Sequence, residues 1–408
     1  MEQIKWTLNS VPKNHRQKAE EVKAVMSVEE TKKARAFHRS VPQYNETPLQ
    51  ALDKLAKQLG VGGVYVKDES FRFGLNSFKA LGGAYAIARY VAKQLNKDIL
   101  SMTWEDFTSE ETRDKIGQIT FFTATDGNHG RGVAWAARQL GQKCVVYMPK
   151  GSSEARLNNI RKEGAIAEIT EFNYDDTIRM TAAEAEKTER SVIVQDTSWE
   201  GYEEIPTWIM QGYGVMALEA DEQLNSLGYR PTHVFVQAGV GAMAGSAQGY
   251  FANKYPDNPP KVAVVEANAA DCFFRSAIAA DGKPRIVGGD MNTIMAGLAC
   301  GEPYITAWEL FKDNAACFVS CPDWVTELGM RMLAAPLPGD PQVVSGESGA
   351  VTTGFLTALT VKEELKELKD ALSINEESRI IVFSTEGNTD PGHYRQVVWD
   401  PEGNVFSI

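Results

Sequence analysis

The sequence predicts an α/β protein built on parallel sheet, and two observations carry that prediction. Short apolar runs of strand composition alternate with helical patterns along most of the 408 residues, the order expected of βαβ units. Three of the runs lead straight into loops of small residues, at 125–130, 237–245 and 384–390. In open α/β sheets ligands bind at the carboxyl ends of strands, so these loops are the first place to look for a site.

Val64 to Lys67 reads as the first central strand. Ser77, a residue type that caps helices, is followed by apolar residues at Phe78, Leu81, Tyr85 and Ala88, a helical spacing. Asn96 to Arg113 is polar and reads as an insertion with a short helix. Ile119 to Ala124 is a strand, and Val133 to Leu140 a helix stopped by Gly141. Cys144 to Met148, Ala165 to Ile169 and Val192 to Gln195 are strands. The helices between them are Ser153 to Glu163, ended by Gly164, and Thr177 to Glu189. Thr207 to Leu227 is a long helix ended by Gly228. His233 to Val236 and Val262 to Val265 are strands separated by the loop Tyr255 to Pro260. After a second loop, Ala335 to Pro341, a long helix is expected over Val351 to Leu372, with the acid/lysine alternation of a solvated face. Arg379 to Phe383 is the last strand. There is no internal repeat and no low-complexity tract.

Composition narrows the function classes. The chain is 43% hydrophobic and 24% charged, with a net charge of -12, an ordinary globular balance. An acidic surface does not suit nucleic acid or an anionic membrane. The first residues, Met1 to Trp6, lack the apolar stretch of a signal peptide, and no run is long enough to span a bilayer. Cys144, Cys272, Cys300, Cys317 and Cys321 are odd in number and lack the spacing of a disulfide framework, which points to a reducing, cytoplasmic setting. Cys317 and Cys321 are too widely spaced for a zinc knuckle, and the five histidines do not cluster; no metal is expected.

The candidate chemistry centres on Lys79, in Asn76-Ser77-Phe78-Lys79-Ala80-Leu81-Gly82-Gly83. With Ser77 as cap, the amine lies near the positive end of a helix dipole, which disfavours an ammonium and favours the neutral nucleophile that Schiff-base chemistry needs. A surface lysine at a helix start is the plain alternative. Gly239-Val240-Gly241-Ala242-Met243-Ala244-Gly245 lets backbone N–H groups converge on an anion ahead of a helix; a dinucleotide loop or a tight turn would look the same. Against a dinucleotide, the acidic residue expected some 20 positions on is Asp257, in a loop. Asn128, in Thr125-Asp126-Gly127-Asn128-His129-Gly130, is either a turn residue or a donor to a phenolic oxygen. His129 reads as a structural neighbour. Asp126 is either the N-cap of a helix beginning near Gly130 or a carboxylate in the pocket. Thr385 caps a turn or offers its hydroxyl to a ring nitrogen.

Together these motifs resemble the fold-type II pyridoxal-phosphate enzymes, the tryptophan synthase β-like group that includes the threonine dehydratases. The likeness starts at Thr47-Pro48-Leu49 and runs through Val66-Lys67-Asp68-Glu69-Ser70, Ser77-Phe78-Lys79, the Gly127-Asn128 loop, Gly239 to Gly245, Glu347-Ser348-Gly349-Ala350 and Gly387-Asn388. The resemblance implies two open, mostly parallel twisted sheets flanked by helices, with the cofactor between a large domain (1–85 and 202–408) and a small one (86–201). It implies that Lys79 bonds pyridoxal 5'-phosphate covalently, that Gly239, Val240, Gly241, Ala242 and Met243 hold the phosphate, and that Asn128 contacts the ring 3-oxygen. Thr385 stands where the family has a Ser facing the ring nitrogen. Thr125, Asp126, Gly127 and His129 are the implied substrate loop.

One departure refines the resemblance. Threonine dehydratases usually carry a small residue where this chain has Asp126, and Thr-Asp-Gly-Asn-His-Gly-Arg-Gly with Ser-Thr-Glu-Gly-Asn-Thr-Asp is similar to the diaminopropionate ammonia-lyase branch. That branch converts both enantiomers of 2,3-diaminopropionate to pyruvate and ammonia. A carboxylate suits a substrate with a second amine at Cβ, and in this scheme Lys79 serves the L-isomer and Asp126 the D-isomer as base. The resemblance also implies a homodimer. A serine or threonine dehydratase of the same fold, with Asp126 as a mere cap, is the nearer alternative. A pyridoxal-phosphate or nucleotide binding protein without turnover is the remote one.

Overall fold

The structure is a computed structural model and describes residues 2–400. Its strands are β1 (Lys5–Leu8), β2 (Leu49–Ala51), β3 (Gly63–Asp68), β4 (Thr120–Ala124), β5 (Lys143–Met148), β6 (Ile166–Ile169), β7 (Ser191–Ile193), β8 (His233–Gln237), β9 (Lys261–Ala267), β10 (Cys317–Cys321) and β11 (Arg379–Ser384). They form two sheets. The larger has the order β1-β10-β9-β8-β11-β3-β2, and the smaller β6-β5-β4-β7. All pairings are parallel except those of β1 and β2 at the edges of the large sheet. The α/β architecture expected from the alternating runs is therefore present.

Parallel sheets need both faces covered, and the strands show why this one is. β8 is buried at all five positions and β3 at all six. Successive side chains point to opposite faces. Val234 and Val236 enter one core with the helices Ala80–Gln94, Glu204–Ser226 and Ala242–Lys254. Phe235 enters the other, under the helix Glu347–Val361. Each fully buried Val or Phe contributes about 1.5–3 kcal/mol. The charged block after Val66 is structural. Lys67 and Arg72 are fully buried and meet Glu219 at 2.7 Å each, while Arg72 also meets Glu69 at 2.8 Å. This cluster ties β3 to the helix Glu204–Ser226, and the two cations hold the Glu219 carboxyl low against the effect of its burial, at about 2.

The order of the strands positions the site. β8 and β11 are neighbours, with Val382 opposite Phe235, and β11 also pairs with β3, with Val382 opposite Val66. The loops after Gln237 and Ser384 therefore leave the sheet side by side, although they are far apart in sequence.

Several local expectations differ. The helix expected over Val351 to Leu372 starts at Glu347 and stops at Val361; Lys362 is extended, and a short turn leads into a second helix, Lys366–Leu372. The break lets Leu365, Leu368 and Leu372 all reach the core. The polar segment 96–113 carries the expected short helix and, beyond that expectation, reaches the core. Short helices at Trp104–Thr108 and Glu110–Ile116 bring Trp104 and Phe107 into the main core, at 5% and 0% exposure. The helix placed at Thr177 begins at Tyr174, where Asn173 accepts from Asp176 N at 2.9 Å. Cys317 to Cys321 is a wholly buried strand, β10, and β1 and β2 are further strands that the apolar runs do not reveal. Among the described residues no group of His, Cys, Asp and Glu could hold a metal ion, and all five cysteines are free and buried.

Candidate active site

The segment before the helix Ala80–Gln94 delivers Lys79. Lys79 itself occupies the cap position, and its N–H lies 3.4 Å from Ser77 Oγ, so Ser77 steadies the entry without capping the helix. Phe78 N donates to Thr385 O at 3.1 Å, which locks this segment to the loop after β11. The Lys79 amine meets Asp196 Oδ2 at 2.5 Å and lies 5.6 Å from the centre of the Tyr213 ring.

This geometry overturns the expectation of a neutral amine. Burial pushes the Lys79 pKa down, but Asp196 above all, then Tyr213 and Asp126, push it up further, and the net shift is upward. The same pairing holds the Asp196 carboxyl well below the usual range, although its burial acts the other way. A carboxylate at 2.5 Å outweighs the helix dipole, which contributes roughly 0.3–1 kcal/mol. Asp196 is 1% exposed. Leaving the amine without this partner costs about 3–5 kcal/mol for a buried pair. Asp196→Asn should therefore lower the melting temperature of the chain prepared without cofactor; an unchanged melting temperature would show that the amine finds solvent instead.

The loop after β4 enters the helix Asn128–Gln139 through Gly127, at φ +148°, a conformation that favours glycine. Asp126 does not cap this helix, because it lies one residue before the cap position. Thr125 Oγ1 instead accepts from Gly127 N at 2.9 Å and Gly130 N at 3.0 Å. Asp126 as helix cap is thus ruled out by where the helix begins. Its Oδ2 is buried without a hydrogen-bond partner and lies 3.5 Å from Arg156 Nη1. Asp126 and Asn128 line one pocket with Lys79. The side chains of Thr125 and His129 do not reach it. His129 Nε2 meets Val194 O at 2.8 Å, and burial keeps its ring below the usual pKa; it braces the loop.

The loop after β8 forms the opposite wall. Gly241, at φ +98°, precedes the helix Ala242–Lys254, whose first turn no side chain caps. A Cβ on Gly241 would stand 2.5 Å from the Phe273 ring, and one on Gly239 2.8 Å from Gly297 O. A glycine loop opening on an uncapped helix start is an anion cradle. Beside it, Gln237 Nε2 donates to Phe383 O at 3.0 Å and to Thr385 Oγ1 at 2.9 Å. The carbonyl fixes the amide, so Thr385 accepts from Gln237 and keeps its own hydroxyl proton to donate.

These residues fit pyridoxal phosphate. The pocket holds an amine, an anion cradle, a neutral hydroxyl donor in Thr385 and an amide in Asn128. Sequence reading missed two of its acids. Asp196 stands just beyond β7, so the strand-end rule that picked out the other loops could have found it. Glu386 sits in a quoted motif but was given no role. With Asp126 they make three carboxyls to one amine in the pocket. A neighbouring cavity of about 590 Å³ shares Asp126 and Tyr174 with this pocket and also presents Arg156, Asp290, Asp323 and His393.

The chain matches the family described as "Pyridoxal-phosphate dependent enzyme" over residues 41–377. It is 50% identical to a diaminopropionate ammonia-lyase of Salmonella typhimurium over 367 residues, covering 90% of this chain and 91% of that protein. The crystal structure of diaminopropionate ammonia lyase from Escherichia coli in complex with D-serine superposes with a TM-score of 0.89 at 44% identity over 98% of each chain. The same enzyme in complex with an aminoacrylate-PLP azomethine reaction intermediate gives 0.87 at 45% identity, also over 98% of each.

Proposed function

The chain belongs to the pyridoxal-phosphate dependent enzymes and, among them, to the diaminopropionate ammonia-lyase family, and from this we propose that it is a carbon-nitrogen lyase that cleaves D- and L-2,3-diaminopropionate to pyruvate and ammonia. The observation that carries the substrate is Asp126: a buried carboxylate oxygen without a hydrogen bond, lining the pocket of Lys79, where a second substrate amine would meet it.

In this reading Lys79 is the residue that bonds the cofactor. The N–H groups from Gly239 to Met243 hold its phosphate, Asn128 its ring oxygen and Thr385 its ring nitrogen. The cofactor, when bound, supplies the electron sink that makes the substrate Cα proton acidic. Lys79 Nζ takes that proton from the L-isomer, and an Asp126 carboxylate oxygen takes it from the D-isomer, whose proton faces the other way. Asp196, 2.5 Å from the amine, balances the charge that Lys79 gains on taking the proton. Thr385, held as a donor by Gln237, gives the ring nitrogen a hydrogen bond and no charge, which limits transamination. Ammonia stoichiometry tests the reaction: two ammonia molecules per pyruvate are expected from diaminopropionate. Consumption of diaminopropionate without release of pyruvate would contradict loss of the β-amine.

Thr385→Asp is expected to strengthen the sink by putting a carboxylate against the ring nitrogen. Elimination should slow and a transamination product should accumulate. A parental spectrum and rate would remove Thr385 from the ring nitrogen. We also infer a homodimer, as the family resemblance implies, and a cytoplasmic setting, which the free, buried thiols suit; no described helix is long and apolar enough to cross a membrane. Sedimentation as a monomer would refute the assembly.

A further inference from the structure

Glu386 is the acid in the pocket to which the reaction so far assigns no task. It follows Thr385 and is 3% exposed. Its backbone is pinned, with Gly346 N donating to Glu386 O at 2.9 Å. Its carboxyl is half satisfied. Oε2 accepts a short hydrogen bond from Asn128 Nδ2 and another from Thr389 Oγ1 at 3.3 Å. Oε1 is buried and has no partner in the protein. An orphaned buried polar atom costs roughly 1–3 kcal/mol, and Glu386 lines the same pocket as Lys79, Asn128 and Thr385. The missing partner therefore belongs to what fills that pocket.

We propose that Glu386 is a cofactor-binding residue that shares the ring oxygen of pyridoxal phosphate with Asn128, its carboxyl donating a hydrogen bond through Oε1. This rests on the reading of Asn128 as the ring-oxygen contact. Asn128 Nδ2 has two hydrogens. Giving one to Glu386 aims the other and prevents the amide from turning over. Burial pushes the Glu386 pKa up; Arg156 acts against this, Glu347 and Asp126 add to it, and the net shift is upward. An upward shift favours the protonated carboxyl, a donor, which suits an oxygen rich in electrons and does not suit a substrate ammonium. A donor at the ring oxygen also withdraws charge from the ring at a second point, where Thr385 leaves the nitrogen without a formal charge.

The test uses the holoenzyme and reads the cofactor's visible absorption band and the affinity for pyridoxal phosphate. Glu386→Ala should move the band and weaken cofactor binding by ~tenfold or more, the size of one strong hydrogen bond. Glu386→Gln, which keeps a donor, should restore both. If the alanine variant does not fold, Glu386→Met fills the space without a donor and takes its place. A parental band and affinity in the alanine or methionine variant would overturn the proposal. So would an unchanged band with a raised KM for diaminopropionate, since Oε1 would then serve the substrate. Asn128→Ala, measured alongside, separates the two levels. If it moves the band and Glu386→Ala does not, only Glu386 is wrong. If Asn128→Ala leaves the band in place, the Asn128 contact itself is wrong.

Discussion

Lys79→Ala is expected to lose elimination of the L-isomer by at least ~10²–10⁴-fold, because the covalent anchor and the general base vanish together. Borohydride reduction of the parent enzyme, followed by peptide mapping, should place the pyridoxyl group on the peptide containing Lys79. Label on another lysine would remove both the anchor and the base from this account. The structure adds a pH dependence. Asp196 raises the Lys79 pKa above the usual lysine value, so the free amine is an ammonium at neutral pH, and the fraction able to attack an aldehyde grows as pH rises. Reconstitution of the cofactor-free chain should accelerate with pH above neutrality. Asp196→Asn removes the partner, lowers the Lys79 pKa and should flatten that dependence. A parent rate that does not respond to pH would mean that the amine is already neutral.

Asp126→Asn should separate the two enantiomers. Thr125 makes the hydrogen bonds at the start of the helix Asn128–Gln139, so the substitution removes no cap, and the variant should fold and bind cofactor. With the L-isomer it loses the contact to the second amine, roughly 1.5–3 kcal/mol for a charge-assisted bond. With the D-isomer it loses that contact and the base as well, a further ~10²–10⁴-fold. Steady-state kinetics on both enantiomers check this. Equal, near-parental rates would leave Asp126 without a part in the chemistry.

The fold and the site were not equally legible. Strands such as β8 and β11 announce themselves because parallel strands buried on both faces are continuous apolar runs, and each ends in a small-residue loop. β10 escaped because its cysteines and Ser320 dilute the apolar signal, and β2 because three residues carry no pattern. Lys79, Asn128, Thr385 and the 239–245 loop could be picked out because each lies on a recognisable local motif, and the fold does bring them to one pocket. What local pattern could not give was the partner of each group. The dipole argument for a neutral Lys79 failed because Asp196, far along the chain, arrives at 2.5 Å. The cap alternative for Asp126 fell because capping depends on where the helix starts, and the helix starts at Asn128. Glu386 was passed over because its meaning lies in an unpaired oxygen, which only the packed structure reveals.

The central claim is that this pocket eliminates ammonia from a diamino acid. The most direct test is pyruvate release by the purified holoenzyme from D- and L-2,3-diaminopropionate, serine and threonine, compared as kcat/KM with the 2-oxobutyrate expected from threonine measured in parallel. The account predicts pyruvate from both diaminopropionate enantiomers, each at a kcat/KM above those for serine and threonine. Turnover of serine or threonine with neither enantiomer of diaminopropionate cleaved would contradict it.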